Sequence, residues 1–466
     1  MSATTYDVRI WKTDIYRGKR KTTYYVRWSV AGQPKKEPFS SAALAESYRS
    51  DLVAAARKGE AFHIASGLPV SMRRAEHDMP WYTFACSYAD DAWPRVAATT
   101  RRTHAEALTA ITLALLTTTR GKPDGPLLRR ALCRWGFNTT RRGAPDTPND
   151  VRAALRWVTD HTRPVSALAE PPILRAVLSS FTNRLDGKPA APSVINRKKI
   201  VLGGALGYAV EHEILTTNPL PALKWRSPRP AHTVDKRAVV NPVQARTLLR
   251  AVAAQPGSGP RLLGYFATLY YAGLRPEEAA ALTTTNLALP ITGWGELHLT
   301  DARPHAGNEW TDHHGDRDQR HLKHRAVRES RTVPCPPELN RILRDHLDQF
   351  GTGDNGHLFV GARNPRELPK ITAARIWTAA RAEAFTPEAA AGPLARRPYD
   401  LRHAAVSTWL NAGIGPAQVA AWAGHSVDVL LRTYAHCLDG AATVHQQRLN
   451  TALGHPETTS PSAPPG

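Results

Sequence analysis

A chain of 466 residues suits two or three domains of ordinary size, and a hydrophobic content of 42% with 12 tryptophans can build cores for them. Lys and Arg number 61 against 40 Asp and Glu, a net charge of +21 spread along the chain; this favours a polyanion partner, nucleic acid first, with an anionic membrane surface as the rival. No stretch reaches the roughly 18 apolar residues of a membrane span, the start MSATTYDVRIWKTD has no apolar core of a secretory signal, and Cys86, Cys133, Cys335 and Cys437 form no C-x-x-C pair, so a reducing cytoplasm without zinc site or disulfide framework is expected.

Residues 1–64 read as a small α+β module with a three-stranded sheet. Asp7–Lys12, Thr22–Val30 and Lys35–Phe39 are the expected strands, and the alternation puts Tyr24, Val26, Trp28 and Val30 on one face, Tyr25, Arg27 and Ser29 on the other. Lys19, Arg20 and Lys21 sit in a basic turn, DIYRGKRK. Ser40 or Ser41 starts a helix to about Arg57, with Leu44, Tyr48 and Leu52 at helical spacing. Such a sheet with basic hairpins can enter a DNA groove; a small protein-interaction module is the alternative.

Residues 72–226 read as mostly helical, with patterns at Thr83–Tyr88, Thr100–Leu116, Leu127–Trp135, Asp150–Thr159, Pro172–Leu185 and Pro192–Glu213. Arg101 and Arg102 open one helix and Arg197, Lys198 and Lys199 stud another, places from which cations can grip phosphates. The Pro-rich, basic stretch 226–240 reads as a linker. From Asn241 to about Gly454 the pattern is helices with strands at Glu296–Thr300 and Arg331–Cys335, around a polar, His-rich excursion at Asp301–Arg320. The end, HPETTSPSAPPG, is expected to be disordered.

Chemistry concentrates in this last part. Leu262, Leu263, Phe266, Leu269 and Tyr270 make one apolar stripe on the helix Pro260–Ala272, Gly273 stops it, and Arg275 follows at a tight junction before Pro276, Glu277 and Glu278. Arg402 and His403 start a helix, Ala404–Ala412; a shorter one from Pro416 stops at Gly424, His425 lies in the turn, and Ser426 caps the next. There Val427, Leu430, Leu431 and Tyr434 share one face, so Tyr434 alone would read as a core tyrosine.

These segments, GLRPEEAAAL at Gly273–Leu282, LKHRAVRESRTVPCPPEL at Leu322–Leu339, YDLRHAAVSTWL at Tyr399–Leu410 and AGHSVDVLLRTYAH at Ala423–His436, come in an order and at spacings that resemble the tyrosine recombinase, or phage integrase, family, with wording similar to integrases of actinobacterial phages and integrative elements. The resemblance implies a multidomain, mainly α protein. Its parts would be an arm-type DNA-binding module at 1–64, a helical core-binding domain at 72–226, a linker at 227–240, a mixed, mostly helical catalytic domain at 241–454 and a tail at 455–466.

It implies further that Arg275 and Arg402 hold the scissile phosphate and Tyr434 attacks it to form a 3′-phosphotyrosyl link. His425 would bond the phosphate or the attacking oxygen, Lys323 would protonate the leaving 5′-oxygen, and Glu278 would buttress Arg275. No metal or ATP is needed, because the covalent link conserves the phosphodiester energy. The family usually has histidine, sometimes lysine, three residues before the second arginine, where this chain has Tyr399, a poor base near neutral pH; His403 is expected to be structural. The implied partners are duplex DNA at core and arm sites, three further copies of the chain in a tetramer passing through a Holliday junction, an excision factor and a host DNA-bending protein, on the nucleoid, in the life of a mobile element. The alternatives are a DNA-binding protein of the same fold with impaired catalysis, and a type IB topoisomerase.

Overall fold

The computed structural model describes residues 3–184, 188–226, 228, 233–323, 329–363, 365–434 and 449–454. Cys437, most of the helix-like stretch Leu438–Leu453 and the expected disordered tail lie outside them. The chain forms two compact units, one of residues 1–96 with 100–229, the other of 97–99 with 230–466.

In the first unit, Thr22–Val30 is the centre of an antiparallel sheet. Gln33–Phe39 pairs along one edge, while Val8–Ile10 and Asp14–Arg17 lie end to end along the other. The rows are the three expected, but Asp14–Arg17, read in the sequence as part of a basic turn, is strand. Its pairing with Thr22–Tyr25 satisfies backbone groups that a turn would leave to water. Val26, Trp28 and Val30 are buried as the alternation requires. They pack on the helix Ala42–Arg57, whose Ser41 Oγ accepts from Leu44 N–H at 3.3 Å. That helix buries Ala45, Leu52 and Ala55 and packs Tyr48 against the same core; of the expected Leu44, Tyr48 and Leu52, Leu44 is the one left exposed.

Helices follow at Val70–His77, Trp81–Ala92, Ala98–Ala114, Gly125–Ala131, Asn149–Asp160, Pro171–Ser180 and Pro192–Glu211. They bury aromatic and aliphatic side chains such as Trp81, Phe84, Leu108, Val158 and Leu202, and Trp81 Nε1 donates to Thr112 Oγ1 at 3.0 Å.

In the second unit, Gly259–Tyr271 is the central helix. It buries Leu262, Phe266, Leu269 and Tyr270 among residues of Pro242–Ala254, Pro337–Phe350, Lys370–Ala384 and Tyr399–Asn411. An antiparallel sheet runs in the order Arg331–Cys335, Gly295–Leu299, Leu287–Ala288. The His-rich excursion is not loose: Asp301–Ala302 pairs with Arg320–His321, Trp310 is buried, and Arg303 reaches Glu367 at 3.2 Å. A segment of the expected linker is also built in. Val234 N–H donates to the Thr433 carbonyl at 3.0 Å, and its side chain packs against the cluster that holds Tyr434.

Candidate active site

The helix that carries Arg402 starts at Tyr399, not after His403, and runs to Asn411. Asp400 sets its start: the carboxylate accepts from Arg397 N–H at 2.8 Å and from Arg397 Nη2 at 2.9 Å. Tyr399, Arg402 and His403 therefore lie at i, i+3 and i+4, on neighbouring positions of one helix face.

Glu278 anchors the cations. It is 1% exposed, and its carboxylate accepts from Arg275 N–H at 2.8 Å, from Arg275 Nη1 at 2.6 Å and from Arg331 Nη1 and Nη2 at 3.1 and 2.6 Å. Arg402 Nη1 stands 3.9 Å away. Burial alone would raise the Glu278 pKa, but Arg331, Arg275 and Arg402 outweigh it and hold it down at about 2. Burial likewise opposes the charge on Arg275, and Glu278 more than restores it; at Arg331 burial wins and the pKa is lowered.

The turn Ala423–His425 is wired to the same cations. Arg275 Nη2 donates to the Gly424 carbonyl at 2.7 Å. Arg402, 0% exposed, donates to the carbonyls of Gly273 and Ala423 and, at 2.9 Å, to His425 Nε2. Gly424 is left-handed, φ 64°, and a Cβ there would overlap Arg331 Nη1 and lie 3.2 Å from Arg275 Nη1, so only glycine fits. Burial first, then Arg402 and Arg275, push the His425 pKa down to about 3. The ring is therefore neutral; with Nε2 accepting from Arg402, its proton sits on Nδ1. Among the described residues, Arg402 Nε, Arg331 Nε and His425 Nδ1 are buried without hydrogen-bond partners. Three N–H groups are thus left with no acceptor around three guanidiniums that share one carboxylate.

Tyr434 is 1% exposed and packs with Val406, Leu410, Val419, Ala423 and Leu430. Its ring centroid is 6.2 Å from that of His425, and its hydroxyl lies 2.8 Å from His403 Nδ1. His403, expected to be structural, thus meets the phenol. Tyr399 packs edge-on against the His403 ring, centroids 5.0 Å apart.

No protein-family model matches this chain, and no curated protein does. Solved structures do match. The Tn1549 transposon integrase in complex with transposon right-end DNA is 15% identical with a TM-score of 0.45, covering 70% of this chain and 98% of that one. The XerH site-specific recombinase bound to its difH substrate is 11% identical with a TM-score of 0.45, over 79% and 94%. A lambda integrase dimer bound to a core site is 12% identical, also at 0.45, over 92% and 95%.

The other expected residues divide. Lys323 is exposed in a turn, and among the described residues it makes no hydrogen bond or ion pair; residues 324–328 of the same motif lie outside them. Arg101 is not available as a surface cation: it is buried, stacked on Trp93 at 4.6 Å, and its Nε donates to the Trp93 carbonyl. Arg102 faces Glu106 at 3.7 Å, Lys198 lies over Phe181 and Lys199 over Trp225, while Arg197, Lys19, Arg20 and Lys21 are exposed. Arg27 is exposed and pairs with Asp14 at 3.0 Å.

Arg331 is the member of this cluster that sequence reasoning missed. The signal was present: Arg331 falls in phase with Val333 and Cys335, on the buried side of its strand, where an unpaired arginine does not belong.

Proposed function

We propose that this chain is a site-specific DNA recombinase of the integrase kind, which cuts and rejoins duplex DNA through a 3′-phosphotyrosyl intermediate on Tyr434 and a Holliday junction. The observation that carries the reading is the cation surplus: Arg275, Arg331 and Arg402 surround one carboxylate, Glu278, with buried N–H groups left over, while the Tyr434 ring stacks on His425 with centroids 6.2 Å apart. A buried surplus of positive charge calls for an anion. A phosphodiester supplies it, and guanidinium forks match the charge gathering on the non-bridging oxygens during displacement.

As found, the arginines donate to the carbonyls of Gly273, Ala423 and Gly424. A phosphate must take over some of these donors. Bonds to a charged oxygen are about twice as strong as bonds to a neutral carbonyl, so the exchange is downhill once DNA is docked. Tyr434 then attacks phosphorus, the 5′-oxygen leaves with a proton from Lys323, and the reverse sequence reseals the strand. The helical residues 72–226 and the catalytic part 241–454 would clamp the core site, and the module 1–64 would hold arm sites through Lys19, Arg20, Lys21 and Arg27. Four protomers would join two sites, with an excision factor and a host DNA-bending protein setting direction.

The test is denaturant-stable protein–DNA adduct formation on a library of nicked duplexes with a randomised central segment. The parent chain forms adduct and Tyr434→Phe does not; adduct surviving that change refutes the assignment. A second reading, a DNA-binding protein with impaired catalysis, is favoured by Tyr399 at the usual His/Lys position and by the complete burial of Arg402. Binding without any adduct from the parent chain selects it.

A further inference from the structure

We infer that His403 is the proton acceptor for the Tyr434 hydroxyl during strand cleavage, the duty that Tyr399 cannot perform from its own position. The inference rests on the recombinase reading above and deepens it. Its first support is distance: His403 Nδ1 lies 2.8 Å from Tyr434 Oη, within the reach a general base needs. The other candidates are committed elsewhere. His425 spends Nε2 on Arg402 and so carries its proton on Nδ1, which makes it a donor. Tyr399 is itself a phenol, and its ring packs steeply inclined against that of His403, centroids 5.0 Å apart.

The surroundings keep His403 uncharged. Burial, with Arg397 and Arg402, pushes its pKa down to about 4 against the opposing pull of Asp400, so the imidazole is neutral at physiological pH. Tyr434 faces it from the helix Val427–Tyr434, and Tyr399 from its own. The assignment commits to the tautomer with the proton on Nε2 and the lone pair of Nδ1 on the phenol. His403 also follows Arg402 directly, Cα atoms about 3.8 Å apart. Whatever shift admits DNA, the residue that holds phosphate and the residue that takes the proton move together.

The step balances as a displacement. The Oη–H bond breaks and its proton passes to His403 Nδ1; the Oη–P bond forms as the P–O5′ bond breaks; the departing oxygen is protonated by Lys323 or water to give the 5′-hydroxyl. On resealing, His403 returns the proton to the tyrosine.

Single-turnover adduct formation by the full chain on the selected nicked duplex, followed against pH, tests this. The parent is nearly flat from about pH 7 to about pH 9, whereas His403→Gln falls about 10²-fold near neutrality and then climbs about tenfold per pH unit as hydroxide takes over ionisation of the phenol. DNA affinity of the variant stays at the parent's value. A His403→Gln rate within about threefold of the parent, with a parallel pH profile, overturns the inference. Should that variant fail to fold, the ¹⁵N resonance of His403 Nδ1 in the unmutated chain decides: an unprotonated nitrogen supports the assignment and a protonated one overturns it. Absence of adduct from the parent chain instead sinks the recombinase reading, and this inference with it.

Discussion

Arg331 donates to both oxygens of Glu278, at 3.1 and 2.6 Å, from side chains that are 2% and 1% exposed. The pair joins a strand to the turn after the central helix, and it leaves Arg275 and Arg402 competing for the same carboxylate. Glu278→Ala strips the shared carboxylate from these three guanidiniums. The expected loss is about 3–5 kcal/mol, because an unpaired buried charge costs more than the pair gains. The denaturant midpoint of the second unit measures it, and a change below about 1 kcal/mol would contradict the charge accounting.

Gly424→Ala acts through geometry. The left-handed backbone and the overlap with Arg331 both resist a methyl group. Adduct formation is expected to fall by about 10²-fold or more as the arginines are pushed aside, while far-UV circular dichroism stays that of the parent. Parent-like cleavage would show that the turn has room the structure denies it.

Replacing Arg402 or Arg275 by lysine keeps the charge and loses the planar fork. Cleavage is expected to drop about 10²–10³-fold for each, with DNA affinity changing far less. An equal loss in affinity and rate would mean that the arginines hold ground-state DNA rather than the transition state.

Acid should destabilise the second unit in two stages. His403 and His425 have pKa values depressed to about 4 and about 3, so the unfolded chain binds protons that the folded chain refuses once pH falls below about 6.5. Stability is lost from there downward. Glu278, depressed to about 2, adds its share only below about 4.5, where the unfolded carboxyl takes a proton first. Melting temperature should therefore fall between about pH 6.5 and about pH 5, and more gently in the His403→Gln, His425→Gln double variant. Equal slopes would remove the histidines from the account.

The exposed cations of the first unit should act at arm DNA and not at the cut. Substituting Lys19, Arg20 and Lys21 by alanine is expected to lower the salt slope of DNA binding by up to about 2.7. Adduct formation on a bare core duplex should stay unchanged; an unaltered salt slope would remove these residues from the interface.

Much of this could be read from residue order. Alternation in Thr22–Val30 and the helical stripe of Leu262, Phe266, Leu269 and Tyr270 each report which side meets a core, since apolar side chains must be buried together whatever they touch. The four motifs likewise placed Arg275, Arg402, His425 and Tyr434 in one chemical proposal, with glycines marking the turns between helices. Partners were not legible. Periodicity says that a side is buried but not what lies across from it, and Arg275 finds the Gly424 carbonyl 149 residues away. Only the fold showed Arg331 as the third guanidinium on Glu278, Arg101 stacked on Trp93 instead of facing solvent, and His403 on the Tyr434 hydroxyl. A polar group's role is set by the donor or acceptor that long-range packing brings within 3 Å or so, and that distance is a property of the folded chain, not of spacing along it.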